Sequence, residues 1–76
     1  MGHDLPMLTA KEVTAVLEGL GFRLRPLGGT SHRRYMHVDG RRTTIPFHAG
    51  QDIGRSLLRK ILKDIELSSE EFKRLL

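Results

Sequence analysis

The dipeptide Asp39-Gly40, set between two β-prone runs, constrains this chain more than any other feature of its sequence. Asp-Gly suits a two-residue hairpin turn, and such a turn decides which residues of the two strands face each other. The expected register puts Val38 opposite Arg41, Met36 opposite Thr43, Arg34 opposite Ile45 and His32 opposite Phe47. Because side chains alternate along a strand, Val38, Met36, Ile45 and Phe47 are expected on one face, packed against helices, with His32 at its rim. Arg33, Tyr35, His37, Arg42 and Thr44 are expected on the other.

The flanking segments read as helices. Thr9-Ala10-Lys11-Glu12 is a capping box, Leu8 and Val13 are placed to staple it, and Val13, Val16, Leu17 and Leu20 recur on one helical face. This predicts a helix from about Ala10 to Leu20, ended by Gly21 in the left-handed conformation. Phe22 and Leu24 then alternate with Arg23 and Arg25, the pattern of a strand with one apolar and one basic face. Pro26 to Ser31 is read as a flexible connection and His48 to Ile53 as a loop. Leu57, Leu58, Ile61, Leu62 and Ile65 form the apolar stripe of a second helix, with Arg55, Arg59, Lys60 and Lys63 largely off it. Ser68 to Glu71 repeats the capping box, with Leu67 and Phe72 as its staple, so a short last helix should follow. The order α-β-β-β-α with a final short α predicts an α+β domain over residues 8–76, a three-stranded antiparallel meander covered by helices on one face. Residues 1–7 are left out of the fold and read as an N-terminal tail, in part an expression remnant.

A chain of 76 residues makes one domain. At that size only about 60% of the surface exposed by the unfolded chain is buried, so a site should lie on the surface rather than in an enclosed pocket. The absence of cysteine excludes a disulfide framework and a thiolate nucleophile. No apolar run is long enough for a membrane span or a signal peptide, and a soluble, cytoplasmic protein is expected. The net charge of +4 is unevenly spread: residues 22–63 hold ten Arg or Lys against Asp39 and Asp52, while both ends of the chain are acidic. Most of that positive charge is arginine, whose planar fork suits phosphate. A solubilising face is the plainer reading of the same charge.

The stretch "GGTSHRRYMH", residues 28–37, places a histidine between a small flexible turn and two arginines. His32 is either a polar residue hydrogen-bonded at a strand start or a base beside a phosphate. Arg34, two residues on, shares its face and can grip phosphate with two bonds. His48 is placed either to approach the same phosphate or to hold the start of the second helix. Tyr35 is either a base-stacking or phosphate-binding side chain or a cross-strand partner of Thr44. Ser31 either donates to phosphate or closes the turn. Thr43 and Thr44 read as β-formers, and Arg59, Lys60 and Lys63 as a solvated helix face. Four histidines with neither carboxylate clustering nor paired i, i+4 spacing point to no metal site, and no cofactor is expected.

Taken together, the amphipathic first helix ending in "LGF", then "GTSHRRY", "DGRRTTIPFHAGQDI" and "LLRKILKDIELSSEEF" resemble the HicA family of bacterial toxins over nearly the whole span from Leu8 to Leu76. The most specific parts are Gly29, Ser31-His32 and Tyr35, followed by Pro46, His48 and Gly50. Thr30 is inserted where members often place Gly directly before Ser, and Glu66 stands where many have Gly before the last helix. The resemblance implies a double-stranded-RNA-binding-domain-like fold, an endoribonuclease acting on mRNA, an acidic HicB-like antitoxin as partner, and His32 as the catalytic residue. A free monomer is expected. RNA carries its own nucleophile, the 2′-hydroxyl, so cleavage needs a base for its proton and donors for the phosphorane, which matches a histidine beside arginines. His32 is therefore the expected general base, with Ser31, Arg33, Arg34, Tyr35, His48, Arg23, Arg25 and Arg42 as expected RNA contacts. The alternatives are a non-catalytic RNA-binding module of the same fold and an interaction domain whose basic face receives an acidic protein.

Overall fold

The computed structural model describes residues 5–25, 32–48 and 50–76. Its elements in chain order are β1 (Leu8–Thr9), α1 (Ala10–Gly19), β2 (Arg23–Arg25), β3 (His32–Met36), β4 (Arg42–Pro46), β5 (Asp52–Ile53), α2 (Arg55–Asp64) and α3 (Ser69–Arg74). Strands β2, β3 and β4 form the expected antiparallel meander. Both α1 and α2 pack against β4, and α3 packs against α2. Strand β5 lies where a loop was expected and pairs with β1, Leu8 with Ile53 and Thr9 with Asp52. Ile53 is buried there and ties the connection before α2 to the start of α1.

The helix ends follow the sequence signals. Thr9 and Ser68 both close reciprocal capping boxes, with Glu12 and Glu71 as the returning side chains. Helix α1 ends at Leu20 in a Schellman motif: Phe22 N–H donates to the Leu17 carbonyl and Gly21 N–H to that of Glu18, with Gly21 at φ +98°. Helix α2 ends the same way, through Leu67 to Leu62 and Glu66 to Lys63, but with Glu66 in the left-handed position at φ +58°.

The hairpin register differs from expectation by one residue. His37 N–H donates to the Arg41 carbonyl and Gly40 N–H to the His37 carbonyl, so the loop has three residues, Val38 to Gly40, and not two. Only Gly40 in that loop has positive φ, +100°, whereas a two-residue type I′ turn would force Asp39 there as well. The pairs are consequently Met36 with Arg42, Tyr35 with Thr43, Arg34 with Thr44, Arg33 with Ile45 and His32 with Pro46.

Burial explains why this register wins. With Ile45 turned inward, the expected pairing would carry Arg34 into the core and Tyr35 into water. The observed pairing buries Tyr35 to 2% exposure, worth about 2–3 kcal/mol, and avoids the several kcal/mol needed to bury a guanidinium. Val38, expected in the core, is instead 97% exposed at the loop tip.

The core gathers Val13 and Leu17 from α1, Phe22, Tyr35 and Ile45 from the sheet, Leu58 and Ile61 from α2, and Phe72 from α3. Leu5 is also fully buried, and its carbonyl accepts from Arg55 Nε at 2.7 Å. Leu5, in the segment left out of the fold on sequence grounds, thus contributes to the core.

Candidate functional site

Register decides which side chains meet. Directly paired residues of an antiparallel sheet project from the same face, so one face carries three rows: Arg23, Met36 and Arg42; Arg25, Arg34 and Thr44; His32 and Pro46. The opposite face carries Leu24, Tyr35 and Thr43, then Arg33 and Ile45, and is the one that turns to the helices. Arg23, Arg25, Arg34, Arg42 and His32 are all exposed. No carboxylate occurs among the described strand residues of that open face.

His32 and Arg34 therefore share a face, as expected from their spacing, but it is the open face and not the rim of the core. Of the expected RNA contacts, Arg23, Arg25, Arg34 and Arg42 are brought together around β3. Arg33 is not: its guanidinium lies on the helix side, 3.8 Å above the ring centroid of Phe47. Tyr35, expected on the open face to stack a base, is a core residue. His48 is exposed just beyond the end of β4. Ser31, together with Gly29 and Thr30 of the motif, lies outside the described residues.

The hairpin that presents this face is fastened from below. Asp39 accepts from the Arg41 backbone N–H at 3.0 Å and from Arg41 Nε at 2.8 Å. The Arg41 backbone hydrogen bond, reinforced by its guanidinium, holds the Asp39 carboxyl below the usual range against a smaller opposing effect of desolvation. Arg41 Nη1 donates to the Ile65 carbonyl at the end of α2, 2.6 Å away, and the guanidinium lies 5.2 Å from the Phe22 ring. His37 meets the same ring edge-on at 5.1 Å and accepts from the Asp39 N–H through Nδ1. Thr43, read only as a β-former, donates from its buried hydroxyl to Asp64 Oδ2 at 2.9 Å. Arg41 and Thr43 thus join the hairpin to α2, roles that sequence spacing alone did not reveal. The signal for Arg41 was the Asp two residues before it, which can bond back to that backbone.

Chemically, four arginines on the sheet face that carries His32, a face that none of the described helices covers, can bind a polyanionic backbone and place a base beside it. No helix among the described residues is long and apolar enough to cross a membrane. Comparison with curated proteins gives no significant match. Residues 10–67, more than half of the chain, match the family described as "HicA toxin of bacterial toxin-antitoxin". The matched span contains α1, all three strands of the meander and α2, and with them His32 and the basic face, so the chain belongs to the HicA toxin family.

Proposed function

We propose that this toxin is a metal-independent endoribonuclease that cuts mRNA in the cytoplasm, with His32 as the general base. The observation that carries the reading is the placement of His32 and Arg34 on the open sheet face, with Arg25 and Thr44 flanking Arg34 across the strands. In the proposed reaction His32 takes the proton of the RNA 2′-hydroxyl, and the 2′-oxygen attacks the adjacent phosphorus. The bond to the 5′-oxygen breaks, that oxygen takes a proton from water, and a 2′,3′-cyclic phosphate remains on the upstream fragment. Arg34 and Arg25 stabilise charge on the phosphorane oxygens, the larger effect in such a site, since a lone general base contributes about 10²- to 10⁴-fold.

The test is incubation of the purified chain with long RNA in chelator, wild type against His32→Ala. Loss of cleavage with unchanged thermal unfolding is the expected result, because an exposed side chain at a strand start contributes little burial. Cleavage by the variant at the wild-type rate would remove His32 from the mechanism. RNA binding without cleavage by the wild type would favour a non-catalytic RNA-binding module.

A further inference from the structure

A strand held only by phosphate contacts can slide; a base stacked on an aromatic ring fixes its position. The chain has three Phe, one Tyr and no Trp. Phe22 and Phe72 are fully buried and Tyr35 is 2% exposed, which leaves Phe47 as the one such ring still partly open to solvent. Arg33 lies across it at 3.8 Å, an arrangement that fixes the ring and extends it with a second planar, cationic surface. Phe47 also borders a recess of about 210 Å³ whose other walls include Thr9, Lys11, His48 and Gly50. That is below the 300–1,000 Å³ common for drug-sized ligands and suits a single ring system.

Position selects the occupant. None of the described lining residues is a carboxylate, although Glu12 and Asp52 both adjoin the Thr9 wall. Glu12, next to Lys11, is turned back onto the Thr9 N–H at 2.9 Å by the capping box. Phe47 directly follows Pro46, the cross-strand partner of His32, and one residue of strand is about 3.3 Å. Phe47 therefore lies at the same end of the sheet as His32.

From this we infer that Phe47 and Arg33, with the recess beside them, hold one unpaired nucleobase next to the phosphate at His32. The inference rests on the reading of the His32 face as an RNA site. His32 and Phe47 project from opposite faces, so the bound strand must turn around the end of the sheet. A base still paired and stacked in a duplex cannot make that turn. The substrate is accordingly RNA that is single-stranded at the cut, and Lys11 is placed to donate to the edge of the inserted base.

The test uses His32→Ala protein and short unstructured RNA, with binding read by fluorescence anisotropy for intact RNA and for an abasic RNA of the same length. Phe47→Leu keeps apolar packing but removes the stacking surface, and thermal unfolding checks that the fold is retained; Phe47→Tyr keeps the ring. Phe47→Leu should weaken intact RNA about tenfold and leave abasic RNA unchanged, while Phe47→Tyr binds both as the parent does. Equal effects on the two RNAs, or none on either, would overturn the inference. Cleavage is not read in this assay. A wild-type chain that fails to cut RNA while the Phe47 pattern holds would overturn the general-base reading alone.

Discussion

Glu66 shows how one residue can carry a cost that its neighbours tolerate. The Schellman motif that ends α2 requires a left-handed residue, and a side chain there costs about 1–2 kcal/mol relative to glycine. Glu66→Gly should therefore raise stability by about 1 kcal/mol, which for a domain of this size is about 4–8 °C in Tm, read by thermal unfolding. An unchanged or lower Tm would mean that the greater freedom of glycine in the unfolded chain offsets the relief. The corresponding position after α1 gives the opposite expectation. Gly21 has φ +98°, and a Cβ there would stand 3.1 Å from His37 Nε2, so Gly21→Ala should lower stability by about 1–2 kcal/mol in the same measurement. The end of α1 was legible in the sequence from Gly21, whereas at Glu66 only the family resemblance pointed to a position where glycine is common. Leu67, next in the chain, packs against the core that holds Phe72, its partner in the staple, and so favours the turn that places Glu66 in the strained conformation.

At the scale of the hairpin, the choice between a two- and a three-residue loop decides which arginines lie on the open face of the sheet. The dipeptide Asp39-Gly40 made a hairpin legible but left the loop length open, because Val-Asp-Gly also fits a type I turn closed by a left-handed glycine. Apolar alternation could have settled it: Tyr35 and Ile45 fall on one face only in the longer loop. The faces have a measurable consequence. Arg23, Arg25, Arg34 and Arg42 should each, when changed to alanine, lower the slope of log K against log salt for single-stranded RNA by about 0.7. Arg33→Ala should leave the slope unchanged, since its guanidinium lies on Phe47; a full drop at Arg33 would contradict the assignment of faces. The same hairpin carries a pH dependence. Folding lowers the Asp39 carboxyl below 3.8, so its contribution is present above that value and is lost as pH falls through the lower folded one. Following the Arg41 amide by NMR during acid titration should give a midpoint below 3.8. A midpoint at or above it would show that the Asp39–Arg41 contact does not form.

For the whole molecule, the helices pack on one side of the sheet and Arg23, Arg25, Arg34 and Arg42 gather on the other, so a compact core and an open basic surface coexist in 76 residues. The meander and its helical cover were legible because caps and apolar stripes are local signals. The site was legible only in part, because its composition depends on register and on which aromatic rings the core consumes. An open basic surface on the proposed nuclease calls for control, and the proposed control is an acidic HicB-like antitoxin that covers His32 and the neighbouring arginines. Complementary charge would make that association fast and salt-sensitive. Antitoxin and RNA should compete, and a tight complex that cut RNA at the free rate would refute this mode of inhibition. The central claim, that His32 activates the 2′-hydroxyl of RNA, is tested most directly by the chemical ends of the products. Mass analysis of fragments made by the wild-type chain in chelator should find a 2′,3′-cyclic phosphate on the upstream piece and a 5′-hydroxyl on the downstream one. A 3′-hydroxyl paired with a 5′-phosphate would contradict it.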